Sequence, residues 1–164
     1  MSYSTYILCR AEKPVSRQKI ADHIRDGVYF ENEPQYDPSP PTGNIGRLSI
    51  RFDPHCTPII VRRLENDEAA GAIEEALDAT GRARPPEHRG EEMRQRVVQQ
   101  IRQHIQLTRN VIRFEFDRDA LTQDAWTMLD SLENEIIKEG DGILYAYEDG
   151  FYGAGLKVIA RLRK

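Results

Sequence analysis

Tyr147, Asp149, Phe151 and Tyr152 lie in YEDGFYGAG, residues 147–155, the densest gathering of reactive side chains in the sequence. Three glycines, three aromatics and two carboxylates share nine positions. A glycine-rich loop can cradle a phosphate, and acids among aromatic rings can hold a small ligand. The order GFYGAG matches neither G-x-G-x-x-G nor G-x-x-x-x-G-K-[ST]. A phosphate loop also needs a helix after it, whereas LKVIARL alternates like a strand. Asp149-Gly150 reads as a two-residue hairpin turn, because a type I′ turn needs φ > 0 at both central positions. A turn is therefore expected, with an aromatic ligand surface at Tyr147, Phe151 and Tyr152 as the competing reading.

Arginine offers a second chemistry. Between residues 82 and 113, Arg82, Arg84, Arg89, Arg94, Arg96, Arg102, Arg109 and Arg113 face only Glu87, Glu91 and Glu92. Such an excess can contact phosphates, each contact adding salt-dependent affinity. The segment lacks the interleaved aromatics that stack single-stranded bases, and no helix-turn-helix, zinc-finger or RNP pattern accompanies it. Arg94, Arg96 and Arg102 are candidate anion contacts, against the plainer expectation of a solvated helix face. Arg47, Arg51 and Arg113 could share an exposed sheet face with Lys157, Arg161, Arg163, Asp53, Glu115 and Asp117, and so receive an acidic partner.

Metal and nucleophile chemistry is thin. His23, His55, His88 and His104 are scattered, and no C-x-x-C, H-E-x-x-H or G-x-S-x-G motif occurs. His55-Cys56 are neighbours, but adjacent residues on an extended chain point apart. Cys9 falls in an apolar strand, where a thiol acts as a small hydrophobe. The sequence calls for no cofactor, no metal and no catalytic residue.

The elements that must position these groups follow from pattern. With 164 residues, 39% hydrophobic and 30% charged, one globular domain is expected over 1–164. A net charge of −4 argues against a dedicated nucleic-acid binder. No run reaches the length of a membrane helix, and the first residues lack a secretory pattern. Two cysteines make no disulfide framework, so a cytoplasmic setting is expected.

Strands are expected at 5–11, 28–30, 47–53, 58–64, 110–117, 143–148 and 156–162. Helices are expected after the caps Ser16, Asn66 and Thr122, and over 91–107. The stripe Ala125, Met128, Leu129, Leu132, Ile136 and Ile137 marks the clearest helix. Residues 33–45, with Pro34, Pro38, Pro40 and Pro41, read as an irregular loop. The fold class is α+β, an antiparallel sheet of about six or seven strands with helices mainly on one face. Units 1–64 and 108–164 echo one another as strand, helix and strands, as two βαββ units of ferredoxin-like folds would, joined by a helical segment 65–107.

The leading functional expectation is a non-enzymatic protein-interaction module that meets a protein partner through its charged surfaces. The alternative is an enzyme or sensor with a small-ligand pocket between the 147–152 hairpin and the 33–45 loop. Weak nucleic-acid binding through 82–113 comes third. An exposed edge strand would offer a route to a homo-oligomer.

Overall fold

A computed structural model describes residues 1–86 and 90–163, so Glu87, His88 and Arg89 of the arginine-rich segment lie outside the described residues. The chain is α+β. Among the described residues nine antiparallel strands form one sheet: β1 (Ser2–Cys9), β2 (Gln35–Asp37), β3 (Arg47–Arg51), β4 (Ile59–Leu64), β5 (Ala83–Arg84), β6 (Asn110–Asp117), β7 (Gly142–Ala146), β8 (Gly150–Tyr152) and β9 (Val158–Leu162). Their spatial order is β2-β3-β4-β6-β1-β7-β8-β9-β5. The helices are α1 (Arg17–Gly27), α2 (Asn66–Ala79), α3 (Glu91–Gln106) and α4 (Gln123–Gly140). Among the described residues no helix is long and apolar enough to cross a membrane.

The helices cover both faces of the sheet, which corrects the expectation of one covered face. Alternate residues of the central strand β1 feed two separate cores. Ile7 and Cys9 join α1 and α4 in a core with Phe114, Leu129 and Ile136. Leu8 joins α2 and α3 in a second core with Ala76, Ile101, Tyr145 and Phe151. The unbroken apolar run TYILC is what a strand buried on both sides requires.

The caps at Ser16 and Thr122 form as expected: Lys19 N–H donates to Ser16 Oγ at 3.1 Å, and Ala125 N–H to Thr122 Oγ1 at 3.2 Å. Asn66 does not cap. It is the first residue of α2, after a Glu65 that makes no side-chain cap. The buried stripe of α2 is Ala72, Ala76 and Ala79, so its small side chains let it lie close to the sheet while Ile73 and Leu77 sit at its flank.

Three other segments differ from their patterns. Val28–Phe30 forms no strand: Val28 takes the left-handed conformation at φ 49°, and Tyr29 folds back on α1. Gly27 is needed because a Cβ there would stand 2.2 Å from the Tyr29 ring, so close approach rather than positive φ selects glycine. In the proline-rich stretch, Gln35–Asp37 pairs with β3 as an edge strand, the one place where flanking prolines without N–H donors are tolerated. Both edges, β2 and β5, are only three and two residues long, which leaves short ladders for pairing with a second copy.

The two echoing units lay down their strands in different orders. After β6 and α4 the chain enters the sheet at β7, beside β1, and works outward to β8. After β1 and α1 it begins at the edge with β2 and works inward to β4, beside β6.

At its last residue α4 comes close to β1. A Cβ on Gly140 would meet Cys9 Sγ at 2.6 Å, and one on Gly142 would meet Ile7 Cγ2 at 2.9 Å. Gly140→Ala is expected to cost about 1–3 kcal/mol in denaturant unfolding, while Gly81→Ala, with open space around it, stays within about 0.5 kcal/mol. Combining Gly140→Ala with Cys9→Ala should recover part of the loss. Equal effects of the two glycine substitutions would show that α4 is free to shift.

Candidate functional site

The hairpin at 147–152 is a turn, one residue earlier than Asp149-Gly150 predicts. Tyr147, Glu148 and Asp149 connect β7 to β8, Glu148 takes φ 60°, and Asp149 N–H donates to the Ala146 carbonyl at 3.0 Å. Gly150 is a strand residue, and a Cβ added to it would collide with the Ala160 carbonyl oxygen. Residues 154–156 then form a short 3-10 turn over α4, where Gly155 N–H donates to Asn134 Oδ1 at 2.6 Å.

This arrangement separates the four residues expected to act together. Phe151 is fully buried against Tyr145, with ring centroids 5.1 Å apart, in the α2/α3 core. Tyr147 is 48% exposed and lines a shallow depression with Glu75, Asp78 and Arg82. Asp149 and Tyr152 face the α4 side, where the Tyr152 hydroxyl donates to Asp149 Oδ2. The 33–45 loop is no partner of the hairpin: β2 and β8 stand six strand spacings apart, roughly 29 Å. The pocket expected between them is not formed.

What Asp149 and Tyr152 do border is a cleft of about 180 Å³ under α4. Tyr3, Phe116, Trp126 and Tyr152 line its sides, with Leu144, Ala146 and Leu156. Tyr3 and Trp126 each meet Phe116 edge-on at 5.6 Å. Glu133 also lines the cleft, from the middle of α4, and is only 4% exposed. Its Oε2 accepts from the Thr5 hydroxyl at 3.1 Å, and no other hydrogen bond reaches the carboxyl among the described residues. Burial pushes Glu133 up to about 8, with the Thr5 hydroxyl opposing and Asp130 adding to the rise. The carboxyl is therefore mostly neutral at pH 7. Partial burial also raises Asp130. At the rim, Arg118 lies 4.6 Å above the Tyr3 ring and Arg161 pairs with Asp149 at 3.4 Å.

Three of the six arginines expected to bind anions, Arg94, Arg102 and Arg113, are engaged by the fold. Arg102 donates to the Leu77 carbonyl and to Thr80 Oγ1, closing the end of α2. Arg94 reaches the carbonyls of Gly81 and Ala83 and pairs with Glu91. Arg96 pairs with Glu92 at 3.6 Å, and Arg82 with Glu148 at 3.4 Å. Arg113 pairs with Glu115 at 3.1 Å and donates to Ser4 Oγ. Arg47 and Arg51 remain exposed on the open part of the sheet.

His104 is buried and its Nε2 meets the Leu8 carbonyl at 2.8 Å, so burial lowers its affinity for a proton. His23 bridges α1 to Ser131 of α4 at 3.0 Å, where the Tyr29 hydroxyl also donates to Ser131 Oγ, at 2.6 Å. Burial raises the Cys9 thiol to about 12, which keeps it protonated and unreactive.

The sequence reading passed over Glu133, although its position carries a signal. It lies four residues after Leu129 and four before Ile137, inside the apolar stripe of α4. An acid in the middle of such a stripe is either paired or displaced from its ordinary protonation. Comparison with protein-family models, curated proteins and solved structures gives no match for the chain.

Because the folded-state value lies above the unfolded one, Glu133 favours folding fully below about 4.5, and that contribution is lost as pH rises through about 8. The slope approaches about 1.4 kcal/mol per pH unit inside this window. Unfolding free energies at pH 5, 6.5 and 8 should therefore fall more steeply for the native protein than for Glu133→Gln, which should be the more stable of the two at pH 8. Parallel profiles would mean that this carboxyl ionises normally.

Proposed function

We propose that the protein is a binding protein for a small organic cation, taken into the cleft over Glu133. The observation that carries this reading is a buried carboxyl with a single hydroxyl partner, bordering a space walled by aromatic rings. Ring faces attract cations, and the attraction grows when water is excluded. Rim charges offset one another, Arg118 and Arg161 against Asp130 and Asp149. A bound cation would thus take its counter-charge from Glu133, which ionises on binding. The volume of about 180 Å³ suits a ligand of one ring, since a cavity of about 150 Å³ holds benzene. With carboxyl, hydroxyl and rings but no assembled nucleophile and base, the geometry favours binding over catalysis.

Cyclohexylammonium and cyclohexanol have nearly the same shape and differ in charge. The cation should bind and the alcohol should not. Calorimetry at pH 7 in buffers of different ionisation enthalpy should show close to one proton released per cation bound. Glu133→Gln should abolish that release and weaken the cation at least tenfold. Equal binding of both probes, or of neither, would overturn the reading.

A second reading, a protein partner, rests on Arg47 and Arg51. They are exposed on the part of the sheet that α2 and α3 leave open, without an ion pair among the described residues, whereas neighbouring Arg62 and Arg113 are held by Glu68 and Glu115. An acidic partner would complement them. A decaglutamate peptide should bind weakly, and the binding should disappear in the double variant Arg47→Glu, Arg51→Glu and above about 0.3 M salt. Binding that is insensitive to both would remove this face from consideration.

A further inference from the structure

The opposite end of β1 opens into a separate cavity of about 250 Å³, bounded by the 10–16 loop, the start of β6 and the last turn of α4. Its polar lining includes Lys13, Lys19, Asn44, Asn110 and Glu139. Asn110 is the informative residue. It is 3% exposed, stands opposite Cys9 in the sheet, and lies on the α1/α4 face. Its Nδ2 donates to the carbonyls of Ala11 at 2.5 Å and Glu12 at 2.7 Å. Two carbonyl partners fix which end of the amide is nitrogen, so the other end is an acceptor. That acceptor, Oδ1, is buried and has no partner. A buried acceptor that the fold leaves open calls for an O–H or N–H group from outside.

The mouth of the cavity has the complementary character. Lys13 and Lys19 are exposed there, and Glu139 approaches Lys19 to 3.7 Å, which leaves an excess of one positive charge. Val15, Ile112 and Ile136 supply apolar wall. We propose that this cavity binds a small carboxylate that also carries a hydrogen-bond donor, with the carboxylate at Lys13 and Lys19 and the donor on Asn110 Oδ1. The charge excess of one selects a monoanion over a doubly charged phosphate ester. This site is independent of the Glu133 cleft and stands or falls without it.

The probes are 3-hydroxybutyrate and butyrate, which differ by the donor alone, titrated against the ¹⁵N-labelled protein and followed by amide shifts around residues 9–19 and 110. The hydroxyacid should bind at least tenfold more tightly than butyrate. Lys13→Glu and Lys19→Glu change exposed side chains and leave the fold intact; together they should weaken the hydroxyacid at least tenfold. Asn110→Leu, which removes the acceptor and is checked for folding by its amide spectrum, should reduce the preference for the hydroxyacid over butyrate. Equal affinity for the two probes would show that Oδ1 is not used by the ligand. No binding of either would make the cavity a structural water site. Hydroxyacid affinity that survives both lysine substitutions would refute the anion subsite. Each of these three results overturns the proposal.

Discussion

The close seating of α4 on β1 and β7 governs the chemistry of one whole layer of this protein. Gly140 removes the side chain that would hold the helix away from Cys9, and Gly142, the first residue of β7, removes one that would collide with Ile7. Brought that near, α4 turns six apolar side chains, from Ala125 to Ile137, into the core, and Glu133 is carried in with them because it lies on the same face. Thr5 of β1 is the side chain that donates to it. A helix seated farther out would let water reach the carboxyl, and Glu133 would ionise as an ordinary surface acid. The same seating leaves gaps at both ends of the contact. Bulky rings of Tyr3, Phe116 and Trp126 hold the layer open at one end, and the turn of chain after β1 does so at the other.

The opposite face shows what the charges of the chain are for. Its helices α2 and α3 pack through alanines and a few isoleucines, a modest apolar area for two helices. Arginines complete the attachment. Arg102 satisfies the carbonyl at the end of α2, and Arg94 ties α3 to the chain at Gly81 and Ala83. Both guanidinium groups have several donors in a fixed plane, which suits them to backbone carbonyls that a helix end leaves open. Part of the local excess of positive charge, at Arg94 and Arg102, is thus a packing device, while Arg96 and Arg109 are held only by exposed ion pairs.

Much of the fold was legible because local signals agreed. Ser16 and Thr122 cap, the stripe of α4 is buried as its spacing requires, and β6 alternates from Ile112 to Asp117. Failures came where a tertiary contact overrode the local pattern. Val28, Tyr29 and Phe30 are good strand formers, but Tyr29 is drawn back to Ser131 and the chain turns at Val28. Gln35–Asp37 looked irregular among prolines, yet an edge strand needs donors on one side only. The site was less legible. Its walls come from β1, β6, α4 and β8, parts of the chain over a hundred residues apart, and only long-range pairing brings them together. Asp149 and Tyr152 were found by composition, but composition could not show that Phe151, between them, faces the other core. Glu133 was visible in principle, as the one acid inside an apolar stripe.

Glu133 and Asn110 share a physical property that most buried residues lack. A sequence selected for stability alone would place a leucine or glutamine at 133, where a carboxyl is driven to keep its proton, and a side chain without a spare acceptor at 110. Asn110 leaves a buried acceptor without a partner, Glu133 buries a carboxyl on a single hydroxyl, and both do so beside a cavity rather than in solid packing. In a solid core, an unsatisfied group can be relieved only by rearrangement. Beside a cavity, it can be relieved by whatever enters, and the entering group is chosen by what is missing: a cation for a carboxyl among rings, a donor for an amide oxygen behind two lysines. The two ends of β1 therefore carry different polar groups beside a cavity, a carboxyl at one and an amide oxygen at the other, with one helix–strand contact between them.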